Sequence, residues 1–251
     1  MNPFDFTGKA IVVTGASSGI GRSTSIYLSR LGARIVAVGR NQERLDSTLA
    51  ALEGDQHRSY AIDLTDVEPL PAWIKTVAAE IGPLYGLVHS AGITSNRPLR
   101  VLSHVDFSAI MRINLDAAVM LSRGFRQKGV REESGSSIVY LSSVAALRAQ
   151  SALAAYAASK GALISLAQTL GRELAADKIR VNCVCPGLVQ TEMMSELSER
   201  LPDEQYKALL NQYPLGTGTS EDVAYAIAFL LAPAARWITG TALVIDGGYC
   251  A

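Results

Sequence analysis

The sequence lacks an excess of charge of either sign: 23 lysines and arginines stand against 23 aspartates and glutamates in 251 residues. That excludes the basic surface of a nucleic-acid binder or of a protein drawn to anionic membranes. Cysteine is scarce. Cys183, Cys185 and Cys250 are odd in number and lack the spacings of zinc sites, so buried thiols in a reducing compartment are expected, and no metal. No basic segment followed by an apolar run opens the sequence, which argues against a secretory signal. Long apolar runs are missing too: the longest, Ala226 to Ala235, is broken by Pro233 and is too short to span a bilayer. A cytoplasmic protein with neither membrane nor nucleic acid as partner is the expectation.

What the sequence does have is apolar content, 49% of residues, arranged with an alternating period. Short β-branched runs read as strands at Ala10–Val13, Arg34–Val38, Arg58–Ile62, Gly86–His89, Ser137–Leu141, Arg180–Val184 and Ala242–Ile245. Between them, helical periodicity covers Gly19–Leu31, Gln42–Leu52, Leu70–Ile81, Val105–Gln127, Ala154–Ala175, Glu192–Leu210 and Ser220–Leu231. Strand followed by helix, repeated without a break, predicts an α/β fold: a doubly wound, Rossmann-type, parallel seven-stranded sheet with helices on both faces. No linker or repeat interrupts it, so residues 1–251 are read as a single domain. The stretch from about 189 to 219 is longer than a connection needs and is expected to cap a site.

In such sheets ligands bind beyond the carboxyl ends of the strands, where the strand order reverses. The first exit reads Gly15-Ala16-Ser17-Ser18-Gly19-Ile20-Gly21, glycines that permit a tight turn and close approach of backbone N–H groups to a pyrophosphate at a helix N-terminus. A glycine-rich turn alone is weak; at the first strand–helix junction of an alternating chain, binding is the better reading. The third exit offers Asp63-Leu64, where the acid could meet an adenine amino group or simply cap a turn. His89-Ser90-Ala91-Gly92, Ser142-Ser143 and Pro186-Gly187 with Thr191 stand at the later exits. In the helix after Ser143, Tyr156 and Lys160 are an i, i+4 pair that sets an ammonium beside a phenol, and a nearby cation favours the phenolate. A solvated surface pair is the plainer alternative.

Taken in order, these residues resemble the short-chain dehydrogenase/reductase family over essentially the whole chain. The turn from Thr14 to Gly21, Asp63, Ala91-Gly92, Asn114, Ser143 thirteen residues before Tyr156, Lys160, Pro186-Gly187 with Thr191, and Asp246-Gly247-Gly248 carry the resemblance. It implies that Tyr156 is the general acid/base and Ser143 binds the substrate oxygen. Lys160 would lower the tyrosine pKa and hold the nicotinamide ribose, with Asn114 supporting Lys160. It also implies that Asp63 and Leu64 meet the adenine, Ile20 the pyrophosphate, and Val189 and Thr191 the carboxamide. One departure is His89-Ser90, where the family often has two asparagines. A catalytic His89 is the less favoured reading, with altered strand-end hydrogen bonding the alternative; for Asn182 a structural role is favoured.

For the cofactor, NADP(H) is expected over NAD(H). Gly39 takes the place where NAD-selective sites often put a carboxylate, and Arg40 follows with a fork suited to a 2′-phosphate, although it could instead be a solvated helix-opening residue. The predicted reaction moves a hydride between NADP(H) and a ketone or secondary alcohol, with a 3-oxoacyl thioester as first substrate reading. A non-catalytic dinucleotide-binding regulator and an NAD-dependent alcohol, sugar or steroid dehydrogenase are the alternatives. The cap segment Met193 to Leu197, with Ala145, Gln150 and Leu153 opposite, is expected to line the substrate site, although Met193 and Leu197, an i, i+4 pair, could simply pack the cap helix onto the body. The resemblance further implies a homotetramer.

Overall fold

Residues that alternate poorly but are apolar throughout become strands covered on both faces, and so they are here. Every residue of β1 (Ala10–Thr14) is buried, as is every residue of β4 (Leu84–His89). The other strands are β2 (Arg34–Gly39), β3 (Arg58–Ala61), β5 (Ser136–Leu141), β6 (Ile179–Pro186) and β7 (Ala242–Ile245). In this computed structural model, which describes residues 2–192, 194 and 202–251, they form one parallel sheet of order β3-β2-β1-β4-β5-β6-β7. The order reverses between β1 and β4, so a crevice lies beyond the ends of those two strands.

Helices cover both faces. On one side α3 (Leu70–Ile81), α5 (Ala117–Phe125) and α6 (Ala154–Glu173) bury Ile74, Leu121, Phe125 and Leu163 against Leu87, Ile138 and Val181. On the other, α1 (Gly19–Arg30), α2 (Gln42–Leu49) and α8 (Ser220–Leu231) bury Leu28, Leu45 and Ile227 against Ile11, Val13 and Val88. The fold is the expected doubly wound one.

Three details depart from the sequence reading. The helix expected over Val105–Gln127 is α4 (His104–Met111), a π turn (Arg112–Asp116) and then α5, because one residue too many for a regular ladder is accommodated around Asn114. The helix expected from Glu192 contains α7 (Asp203–Leu210), which starts afresh after Pro202; Met193 and Leu197 lie outside the described residues. Cys250 is exposed in the C-terminal turn, not buried like Cys183 and Cys185, because its backbone N–H is drawn to the Asp246 carboxylate. The stretch expected to cap a site has a bridge between Val189 and Gly218 near its ends. Among the described residues no helix is long and apolar enough to cross a membrane.

Candidate active site

Strand register brings the exits together. Thr14 lies opposite Val38 on one side and His89 on the other; His89 is opposite Tyr140, and Leu141 opposite Val184. The turn leaving β1 is built for close approach. Gly15 has φ +68°, open to glycine, and a Cβ there would meet the Ala91 amide nitrogen at 2.9 Å. A Cβ at Gly21 would stand 2.3 Å from the Gly15 carbonyl oxygen, so the helix starts hard against the turn. Ser18 caps α1 with extended backbone and no side-chain bond, which leaves first-turn N–H groups for an anion.

Beyond that turn a cavity of about 150 Å³ is lined by Gly15, Ser17, Arg40, Asp63, Leu64 and Gly92, with Ser18, Gly39 and Ala91 also on its wall. These residues fit one end of a dinucleotide. Arg40 is exposed at the end of β2, and no acid stands at Gly39 to oppose a phosphate. Asp63 also does what the plainer reading asked of it. Its Oδ1 accepts from the Thr65 N–H at 2.9 Å, and that bond chiefly, with the Arg40 charge adding, holds its carboxyl below the ordinary range. A second cleft of about 660 Å³ is lined by Gly19 and Arg22 of α1 together with Thr191, Met194 and Tyr206. The Thr191 methyl lies 3.3 Å from where a Gly19 Cβ would be. Ile20 and Val189 pack into the core on the α1 side; Pro186 ends β6, and a Cβ at Gly187 would strike the Tyr213 ring at 2.8 Å.

The residues expected to react converge at the ends of β4 and β5. Ser143 follows β5, and its hydroxyl accepts from the Ala145 N–H at 3.2 Å. Burial, the largest influence, raises the Tyr156 phenol above its ordinary value, and the Ser143 hydroxyl draws it the other way. Lys160 is buried, lies 5.6 Å by its Nζ from the Tyr156 ring centre, and donates to the Leu141 carbonyl at 2.6 Å. Burial drives its ammonium down to about 8. The Ser142 hydroxyl donates to the Lys160 carbonyl at 2.7 Å, which pins α6 to the end of β5.

Asn114 projects from the π turn and is fully buried. Its Oδ1 accepts from the Ile93 N–H at 2.9 Å, and its Nδ2 donates to the Ile93 carbonyl at 3.0 Å and to the Ser159 hydroxyl at 2.9 Å. Ser159 in turn donates to the Tyr156 carbonyl at 2.7 Å. A Cβ at Gly92 would lie 3.1 Å from Asn114 Oδ1 and 3.3 Å from Lys160 Nζ, so three separate segments meet at one point.

Comparison with known proteins accords with this geometry. A family model described as enoyl-(acyl carrier protein) reductase matches residues 15–250. The 3-oxoacyl-[acyl-carrier-protein] reductase FabG of Rickettsia prowazekii is 37% identical over 246 residues, 97% of this chain and 98% of that protein. The chain belongs to the short-chain dehydrogenase/reductase family. D-threitol dehydrogenase of Mycolicibacterium smegmatis, another similar protein, is 36% identical over 251 residues, 98% of this chain and 95% of that one. Among solved structures, a short-chain dehydrogenase/reductase from Brucella melitensis, described as a glucose/ribitol dehydrogenase, superposes with TM-score 0.89 at 35% identity over 98% of both chains. A Beutenbergia cavernae structure described as a candidate NAD(P)-dependent gluconate 5-dehydrogenase, with NADP bound at low occupancy, gives TM-score 0.91 at 32% identity over 99% of both. The protein is accordingly an NAD(P)-dependent oxidoreductase acting on CH–OH or C=O groups, which removes the non-catalytic regulator as a reading.

Sequence reasoning missed several groups that contact the expected site residues. Ser159 and the Leu141 carbonyl carry no motif of their own. On the side expected to meet substrate, Tyr249 stacks on Tyr213 at 4.6 Å and accepts from Gln150 Nε2 at 3.1 Å through its hydroxyl. Arg148 lies over the same ring and donates to the Tyr249 carbonyl. Gln150 is thus held by the C-terminal turn, while Ala145 is buried beside Val144 and Leu153 stands at the N-cap of α6. No spacing in the sequence signals a contact between residues a hundred positions apart. Asn182 has the structural role favoured for it, donating to the Ile238 carbonyl and accepting from the Thr241 N–H.

Proposed function

We propose that the protein reduces a ketone to a secondary alcohol with NADPH, or runs the reverse, with Tyr156 as proton donor and acceptor. The observation that carries this reading is the buried Lys160, its Nζ 5.6 Å from the Tyr156 ring centre and bonded to the Leu141 carbonyl at the end of β5, two residues before Ser143. The bound nicotinamide supplies or takes the hydride. Tyr156 passes its phenolic proton to the carbonyl oxygen as that oxygen gains charge. Ser143 donates to the same oxygen and fixes the face presented. Lys160 holds ribose hydroxyls, and a cation 5.6 Å from the ring favours the phenolate left after transfer. Asn114 keeps Ser159 and the Tyr156 segment of α6 in place. Gly15, Ser17 to Gly21, Asp63, Leu64, Ala91 and Gly92 hold the adenosine and diphosphate, and Pro186, Gly187, Val189 and Thr191 the nicotinamide end. Arg40 takes the 2′-phosphate.

A 3-oxoacyl thioester is the substrate we favour, supported by the similarity to 3-oxoacyl-[acyl-carrier-protein] reductases. A polyol or sugar is the second reading, supported by D-threitol dehydrogenase at similar identity and by Gln150, a polar side chain held by the Tyr249 hydroxyl. A cytoplasmic homotetramer belongs to the same proposal. The exposed Val105 and Val119 on α4 and α5 support the assembly, and a one-chain mass by light scattering would count against it. A panel of carbonyl compounds and alcohols, run with NADPH and NADH and repeated with Arg40→Ala, tests the rest. Turnover of 3-oxoacyl thioesters with NADPH preferred, and that preference lost without Arg40, is expected. Preference for NADH, or turnover of polyols alone, would overturn the cofactor or the substrate assignment respectively.

A further inference from the structure

His89 ends β4 and is fully buried, yet no step above uses it. Its two ring nitrogens face different parts of the site. Nδ1 lies 3.1 Å from the Thr14 hydroxyl at the end of β1. Nε2 lies 3.2 Å from the carbonyl of Ile113, which is inside the π turn and next to Asn114.

The proton assignment follows from the partners. The Thr14 oxygen already accepts from the N–H groups of Ser90 and Ala91, both at 3.1 Å, so its own proton is free to go to His89 Nδ1. A carbonyl can only accept, so Nε2 carries the ring hydrogen and donates it to Ile113. That arrangement requires a neutral imidazole. Burial chiefly, with the Lys160 charge on α6 adding, pushes the ring down to about 3, which keeps it neutral through the physiological range.

We propose that His89 is a positioning residue: its imidazole clamps the Ile113 carbonyl of the π turn to Thr14 of the dinucleotide turn and so aims Asn114 at Ile93 and Ser159. This rests on the reading of Tyr156, Ser143 and Lys160 as the reacting groups. The π turn survives only if the backbone group it displaces from the regular ladder finds a partner elsewhere. Should the turn relax to α-helix, the register moves by one residue, about 100° around the axis. Asn114 would then leave Ile93 and Ser159, and the Tyr156 segment would lose its brace. On the other side, the Ala91 amide nitrogen that Thr14 fixes is the atom against which Gly15 packs. Thr14 holds that turn through the Ser90 and Ala91 N–H groups by itself, so His89 takes a fixed point from the cofactor turn and acts on the proton-transfer side. The imidazole is long enough to span both partners at once.

The test has two arms. In the ¹⁵N-labelled parent, which has only three histidines, the His89 ring should be protonated at Nε2, bare at Nδ1 and unchanged from about pH 5 to about pH 8. A proton on Nδ1, or titration in that range, overturns the clamp whether or not the protein turns over any substrate. In the kinetic arm, His89→Leu should retain NADPH binding and the carbonyl KM within a few-fold while kcat falls about a hundredfold, the scale of a small misplacement. His89→Gln, whose amide can donate to Ile113, should recover much of that loss. An active Leu variant, or parallel loss of binding and turnover that Gln does not rescue, contradicts a positioning role. If the Leu variant does not fold, the ring's proton position in the parent decides alone. A parent that is inactive across the carbonyl panel defeats the reductase reading instead, and leaves the ring measurement to judge the clamp.

Discussion

At the scale of single residues, Lys160 shows how a site is made at a cost. Its ammonium is buried among β5, β6 and α6 with one carbonyl partner, so folding disfavours the charged form and drives its pKa from 10.5 down to about 8. Below pH 8 the folded and unfolded chains both hold the proton, and the folded state bears the full penalty. Between pH 8 and 10.5 the folded chain sheds it first, and the penalty fades. The stability of the parent relative to Lys160→Met should therefore rise through that window, by up to about 3 kcal/mol. Denaturant unfolding of both proteins at several pH values checks this, and a difference independent of pH would mean that the lysine is not desolvated. The pairing of Lys160 with Tyr156 was legible in the sequence because helical spacing dictates which side chains are neighbours. The hydrogen-bond roles of His89 and Ser159 were not, since a buried histidine or serine reads the same whichever distant atoms it meets.

At the scale of elements, the β1–α1 turn and the π turn behave differently as sequence signals. The first is written in glycines whose absence of a side chain has an immediate steric meaning. Gly21→Ala would force a Cβ to 2.3 Å from the Gly15 carbonyl oxygen, and backbone rather than a flexible side chain would have to move. Dinucleotide binding by this variant, followed by NADPH fluorescence, should be lost or weakened by orders of magnitude; parent-like affinity would show that the turn does not hold the cofactor. The π turn leaves no such mark. Apolar residues recur at helical spacing through Val105–Gln127 on either side of it, and the inserted residue is stabilised by His89 on another strand. Local pattern cannot report a bond closed by tertiary structure. The same holds for the Tyr249–Tyr213 stack, which depends on how the C-terminal turn returns to the sheet.

At the scale of the whole molecule, topology does the gathering. Parallel strands with aligned ends place Thr14, His89 and Leu141 along one edge, and the reversal of order between β1 and β4 opens the crevice beside them. The alternation of strand and helix made that architecture legible from the sequence, since a parallel sheet must be apolar on both faces and crossed by helices. On the proposed function, the sheet gathers the surroundings of a hydride transfer with one proton donor, Tyr156, at their centre. The most direct test of that claim is turnover and NADPH affinity measured together for Tyr156→Phe, which keeps the ring and deletes the hydroxyl. Near-parent affinity for NADPH with kcat lowered by about 10²–10⁴-fold is expected. A variant that binds NADPH and turns over within a few-fold of the parent would contradict it.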